Sequence, residues 1–165
     1  MLSLVSAFDP RTAIRTAIGY ERYVNGVDRS TVSVSDDRDD TVYIPLLLPH
    51  EVHTGDVPEM PYVEMKLMNV PSYTENIGGD VHFTEAYIDF DIVFTDQDHI
   101  TPSTFGANVA SEILDKVMEN RHGITDCIFA EVVNDGREIY ERISGYPIVF
   151  HRLLELKCIF RQKKT

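Results

Sequence analysis

The fold is decided by one stretch, residues 82–94, which reads HFTEAYIDFDIVF. Its apolar side chains occupy alternate positions, namely Ala86, Ile88, Phe90, Ile92 and Phe94. The positions between them carry Glu85, Tyr87, Asp89 and Asp91. Because successive side chains of a strand point to opposite faces, this pattern predicts a long strand with one face on a core and one facing water or a lumen.

The next stretch predicts a helix that lies on the apolar face of that strand. Thr101 can cap this helix, and Pro102 occupies its first position, where a missing N–H costs little. An apolar stripe follows at helical spacing: Phe105, Val109, Ile113 and Val117. An earlier amphipathic helix is predicted over residues 10–24, because Asp9 can cap it and Gly26 can end it.

Alternating apolar residues predict further strands at residues 62–69, 125–133, 137–143 and 148–161. Asn134-Asp135-Gly136 predicts a tight turn that pairs the second of these strands with the third. Strands that follow strands, with few helices between them, are typical of the α+β class. We therefore predict a mixed or antiparallel sheet of about four to five strands, packed by two helices.

Residues 28–60 differ from the rest of the chain, because they combine prolines, an aspartate cluster at 36–40 and a strongly apolar run. That run comprises Tyr43, Ile44, Leu46, Leu47 and Leu48. We predict an N-terminal helix in residues 1–27, a long extended acidic arm in residues 28–60 and an α+β body in residues 61–165, all within a single domain. Since the arm has no evident helix or hairpin of its own, its apolar run is predicted to contact a neighbouring subunit.

The charge of the chain limits the classes of partner that it can bind. The 165 residues include 27 acidic and 15 basic ones, for a net charge of −12. Binding to phosphate backbones needs a basic patch, so this composition argues against stable nucleic-acid binding. The last predicted strand is nevertheless basic and ends with Arg161, Lys163 and Lys164. An acidic body with a basic end favours head-to-tail association of copies.

No pattern in the sequence predicts catalysis or a cofactor. His50 and His53 are three residues apart, but further ligands and a rigid scaffold for a metal are not evident. Asp89 and Asp91 share the polar face of their strand, which predicts solvated carboxylates rather than an acid–base pair. Cys127 and Cys158 are predicted to be unactivated core thiols in a reducing compartment. No apolar run approaches the ~18 residues of a membrane helix, so no membrane partner is expected.

The order of these elements resembles a known family. A strand within PYVEMKLMNV (61–70) is followed by EAYIDFDIVFT (85–95), the helix ANVASEILDKVMEN (107–120), CIFAEVV (127–133) and VFHRLLELKCIF (149–160). This order and hydrophobic rhythm resemble the tail terminator, or tail completion, proteins of long-tailed viruses of bacteria and archaea. The resemblance covers residues 61–161 and, more loosely, the helix at 10–24.

The resemblance implies a structural virion protein of the tail or neck, assembled in the host cytoplasm. Members of the family form a ring, usually of six copies, that caps the tail tube and joins it to the head connector. The genome passes through such a ring transiently, and a lumen lined by Glu85, Asp89 and Asp91 would repel its phosphates. The arm's apolar run and the basic end are then the expected contacts with neighbouring subunits or tail proteins.

Three other interpretations stay open. A tail-tube or neck adaptor subunit would also form rings, and tube subunits stack on themselves. A protein of another class, a small metal-binding protein or enzyme, would use the region around His50 and His53. The third interpretation is a plain soluble binding domain.

Overall fold

A computed structural model describes residues 9–24, 26–53, 59–68, 72–75 and 81–163. Its helices are α1 (Pro10–Ile18), α2 (Pro49–His53) and α3 (Pro102–Asn120). Its strands are β1 (Tyr20–Val24), β2 (Val27–Ser35), β3 (Thr41–Leu47), β4 (Tyr62–Leu67), β5 (Ser72–Glu75), β6 (Val81–Thr95), β7 (Cys127–Glu141) and β8 (Val149–Lys163). Gly78 and Gly79 predict a turn in the sequence, but they lie outside the described residues.

All these strands belong to one mixed sheet. Its order is β1-β2-β3-β4-β6-β8-β7, and β5 pairs with the beginning of β6. β3 and β4 run parallel, whereas the other pairs are antiparallel. The predicted α+β class with a mixed sheet is therefore confirmed. The predicted size of four to five strands and two helices is wrong, because the sheet has eight strands and the described chain has three helices.

The core lies between one face of the sheet and the helices α1 and α3. The apolar positions of the long strand are buried there as predicted: Ala86, Ile88, Phe90, Ile92 and Phe94 are at most 3% exposed. The four larger side chains of this set join Phe105, Val109 and Ile113 of α3 in one cluster. Gly106 allows this close approach, since a Cβ at that position would lie 3.0 Å from the Phe94 ring. The sequence also predicts Leu114 of α3 in this core, but its side chain is only partly buried.

The prediction of an extended arm over residues 28–60 is wrong. This segment forms β2, β3 and α2, and it contributes its apolar run to the core of its own chain. Pro45 made β3 hard to recognise, because proline is normally excluded from central strands. β3 avoids the conflict by changing neighbour there: it pairs with β2 up to Pro45 and with β4 from Leu46 onward.

Two predicted boundaries are also corrected. α1 ends at Ile18 rather than near residue 24, with Gly19 as its C-cap, and the following residues form β1. Gly26 lies in the turn between β1 and β2, where its positive φ of 86° suits glycine.

The hairpin expected at Asn134-Asp135-Gly136 does not form, because β7 runs on through it as one bulged strand against β8. A bulge there needs one residue of unusual backbone, and Gly136, at φ 114°, provides it.

Candidate functional site

The face of the sheet opposite α1 and α3 carries most of the charged side chains of β4, β6, β7 and β8. Residues that are opposite each other in the strand register share a face, which assigns the following set to it. Its carboxylates are Glu64, Glu85, Asp89, Asp91, Glu131, Glu141 and Glu155. Its cationic side chains are Lys66, Arg137, Lys157 and Arg161, with His151 beside them. This surface, called the polar face below, is therefore acidic.

Asp91 lies at the centre of a buried charge cluster on the polar face. Its Oδ1 is 2.9 Å from Nδ1 of His151, and its Oδ2 accepts a hydrogen bond from Nζ of Lys66 at 3.1 Å. These partners come from β8 and β4, which flank β6. Asp89 and Asp91 are only 9% and 5% exposed, so the prediction that both are solvated is wrong. Glu85 is different, because its side chain is 40% exposed, with Nζ of Lys157 3.9 Å away.

The cluster shifts the titration of its members. Burial alone would raise the pKa of Asp91, but hydrogen bonds from His151 and Lys66 lower it below its ordinary value. The hydrogen bond to Asp91 raises the pKa of His151, against the opposing effect of burial. Burial and the neighbouring charge of Asp91 raise the pKa of Asp89. Both shifts favour the charged forms of this pair, an ionised Asp91 carboxylate beside a protonated His151 imidazole.

The geometry supports a structural role for this pair better than a catalytic one. A histidine that is oriented by a carboxylate can act as a general base through its other nitrogen, provided that a proton donor lies within reach. In the described part of the chain Nε2 of His151 is buried without a hydrogen-bond partner, and the nearest carboxylate oxygen, on Glu141, is 3.7 Å away. The ion pairs of Asp91 with Lys66 and His151 therefore link the strands β4, β6 and β8 on the polar face.

Replacing His151 by Gln is expected to destabilise the protein most in weakly acidic solution. Because the pKa of His151 is raised, its stabilising charge is complete below the unfolded value of 6.5 and is lost as the pH rises through the folded value. Because the pKa of Asp91 is lowered, its contribution is present above 3.8 and is lost as the pH falls through its folded value. We expect H151Q to lose about 1–2 kcal/mol of unfolding free energy near about pH 5.5, and less above about pH 8.

Denaturant unfolding at both pH values measures this difference. The matched control is His122→Gln, since His122 is exposed in the turn after α3. Equal losses for H151Q at both pH values would show that the charge of the imidazole does not stabilise the fold.

His50 and His53, the histidines of the alternative site, lie on the helix α2. The sequence had predicted an extended segment at this place. Nε2 of His53 is 3.4 Å from Oε2 of Glu64, on the neighbouring strand β4. Among residues 9–24, 26–53, 59–68, 72–75 and 81–163, no three His, Cys, Asp or Glu side chains are grouped closely enough to hold a metal ion. The pair therefore has no built ligand set in this part of the chain.

Cys127 and Cys158 lie diagonally across β7 and β8, because Cys127 is opposite Phe160 and Cys158 is opposite Ala130, and both are free thiols. Cys158 is fully buried, and Cys127 is partly buried. The hydrogen bond with Cys158 favours the ionised form of Cys127 and lowers its pKa to about 7.

Exposed large apolar side chains are concentrated at the two ends of the strand order. β7 and the loop after it, residues 127–146, form what we call the long edge, with exposed Ile128, Phe129, Val133, Ile139, Tyr140, Ile143 and Tyr146. β1 and the start of β2, residues 20–27, form the short edge, with exposed Tyr20, Tyr23 and Val27. Within the described residues β1 pairs only with β2, and β7 pairs only with β8. Both edges therefore present backbone groups that can pair with another strand.

The interface residues predicted from sequence lie elsewhere. Four of them are buried in their own chain and cannot serve a partner: Ile44, Leu46, Leu47 and Leu48, at 0%, 1%, 1% and 6% exposure. Tyr43 is partly buried, with the Arg22 guanidinium 3.8 Å from the centre of its ring. Arg161 is exposed near the end of β8, Lys163 is the last residue of that strand, and Lys164 lies outside the described residues.

Sequence reasoning missed the long edge, although its apolar residues are evident in the sequence. The hairpin expected at residues 134–136 would have paired residues 125–133 with residues 137–143. That pairing would have covered these side chains. A fifteen-residue strand leaves them on an outer strand instead.

The described residues form an α+β fold with one mixed sheet. This sheet has two unlike edges and an acidic face. No protein-family model matches the chain, and no curated protein matches it. No helix in the described residues is long and apolar enough to cross a membrane.

Proposed function

We propose that this protein is a ring-forming structural subunit of a viral tail, a tail terminator that caps the tail tube and joins it to the head or neck connector. The observation that carries the proposal is the pair of unlike edges on one sheet, each with exposed apolar side chains. In a head-to-tail contact, one surface of each copy meets a different surface of the next, and such contacts form a ring when the rotation between copies closes.

The long edge has the character of an association surface. Soluble proteins usually protect an exposed edge strand with charged side chains, proline, bulges or a cover of other elements. β7 contains charged residues and three irregularities but neither lysine nor proline, and its register against β8 is regular from Arg137 to Glu141. Its five large exposed apolar side chains would be buried by a partner, which supports an assembly protein over an isolated binding domain.

The polar face supports the second part of the proposal, a lumen through which DNA passes. An acidic wall repels phosphates, so a genome can slide along it without binding. Glu85 and Glu131 are the suitable wall residues, because Glu131 is exposed and the Glu85 side chain is 40% exposed. Asp91 is held inward by Lys66 and His151, and since Asp89 is buried as well, both aspartates contribute through their charge only. The element order that resembles tail terminators adds the tail-tube protein and the connector as the partners.

Native mass spectrometry and negative-stain electron microscopy of the purified chain test this proposal. We expect one closed oligomer, of six copies, with a central opening. Stacked rings or tubes would indicate the alternative of a tail-tube subunit. A chain that stays monomeric at every concentration that keeps it soluble would contradict assembly.

A further inference from the structure

We propose that neighbouring copies join by antiparallel pairing of β1 in one copy with residues 139–143 in the next, so that the sheet continues across the subunit boundary. The inference rests on the proposed self-association and adds its interface and register. The occupant of the long edge is thus the short edge of a second copy of this chain.

The two segments complement each other residue by residue. The antiparallel register places Tyr20 opposite Ile143, Glu21 opposite Arg142, Arg22 opposite Glu141, Tyr23 opposite Tyr140 and Val24 opposite Ile139. It therefore contains two pairs of opposite charge, one of each polarity, and three apolar or aromatic pairs. Cross-strand pairs of these kinds stabilise antiparallel sheets. Sliding β1 by two residues, to oppose 137–141, places Glu21 against Tyr140 and Arg22 against Ile139, and both charge pairs are lost.

The faces of the two sheets also agree in this register. On β1, Tyr20 and Arg22 point to the polar-face side, because they oppose Thr31 and Arg29 and lie against Tyr43. On β7, Ile139 and Glu141 point to the polar face, opposite His151 and Val149. Pairing Arg22 with Glu141 therefore continues the polar face of one copy into that of the next. A shift by one residue would exchange the faces.

Exposure identifies the same segments. Tyr23 and Tyr140 are 74% and 71% exposed, and the register places them opposite each other. Ile143, which would meet Tyr20, is 62% exposed. Arg22 lies over the Tyr43 ring of β3, so its guanidinium points inward across β2 and has to turn outward to meet Glu141 on pairing. β7 is regular against β8 from Arg137 to Glu141, so residues 139–141 offer a continuous ladder, which Arg142 and Ile143 would extend beyond the end of β7.

Charge reversal tests the register. Arg22→Glu and Glu141→Arg should each weaken association on the order of tenfold, because each places like charges opposite one another. The double variant should restore it. The matched control is Glu131→Arg, which reverses a charge on the same strand and face but outside the proposed pairing. Sedimentation measures the association, and circular dichroism verifies that each variant is folded.

Cysteine crosslinking supplies a test that does not depend on the energy of the charges. Tyr23→Cys combined with Tyr140→Cys should give disulfide-linked chains in series after mild oxidation, since directly opposed Cβ atoms come within bonding range. Within one chain these positions lie at opposite ends of a seven-strand path, ~29 Å apart, so the crosslink has to join two copies. The control pair, Tyr23→Cys with Glu138→Cys, lies on the same face but two residues out of register and should link poorly.

The outcomes separate the two proposals. Wild-type oligomers that withstand both single reversals, without the expected crosslink, would overturn this interface and leave ring assembly intact. A wild-type chain that never associates would overturn both.

Discussion

Deletion of residues 36–48 is expected to abolish folding altogether. The deletion removes β3, the strand that connects β2 to β4, and with it Ile44, Leu46 and Leu47 from the buried interior. Each large aliphatic side chain contributes about 1.5–3 kcal/mol by its burial, so the loss is comparable with the 5–15 kcal/mol that holds a typical domain folded. Far-ultraviolet circular dichroism and thermal unfolding measure the outcome, and we expect no cooperative transition.

The control for this deletion changes only the exposed turn between β2 and β3. Arg38→Ala and Asp39→Gly lie in that turn, and Asp39 already has a positive φ of 62°. Both should keep the unfolding free energy within about 0.5 kcal/mol of wild type. A deletion protein that kept a cooperative transition would show that residues 36–48 are an appendage, as the sequence had suggested.

Phe90→Ala is expected to cost about 3–5 kcal/mol of unfolding free energy. Phe90 is fully buried at the middle of β6, between Met65 of β4 and Leu154 of β8. Truncation leaves a cavity where the strands on both sides are fixed, so the core cannot collapse onto it. Urea unfolding measures the loss as a shift of the midpoint at an unchanged slope.

Phe129→Ala is the matched control for this truncation. Phe129 lies on the outer strand β7 and is 41% exposed, so the same change should cost far less in the isolated subunit. Equal losses for the two variants would mean that β6 is not the centre of the core.

The centre of the fold could be predicted from the sequence because its periods are long and unambiguous. Residues 85–92 of β6 alternate without exception, and α3 carries a continuous apolar stripe after a proline at its first position. The edges could not be predicted so well, because their local signals favour other structures. The tripeptide at 134–136 is a typical hairpin turn, but pairing with the whole length of β8 stabilises β7 more than a short hairpin would.

The candidate surfaces divide in the same way. The polar side of β6 could be recognised, since Glu85, Asp89 and Asp91 do share one face. The burial of Asp91 could not, because Lys66 and His151 are distant in sequence and become neighbours only through the strand order. Likewise, the sequence predicted that Leu46 and Leu47 contact a partner outside the chain, because Pro45 beside them argues against a strand. The strand β3 nevertheless forms there and places both side chains in the interior of their own chain.

The long ladder between β6 and β8 has a mechanical consequence. The two strands pair residue for residue from Val81 with Lys163 to Thr95 with Val149, over a length of about 50 Å. Their hydrogen bonds lie perpendicular to the strands, so a pull along the strand direction loads the whole row in shear. The bonds then share the force and have to break together, whereas a pull across the sheet would open them one after another. The subunit is therefore stiffest along the axis of its longest strands.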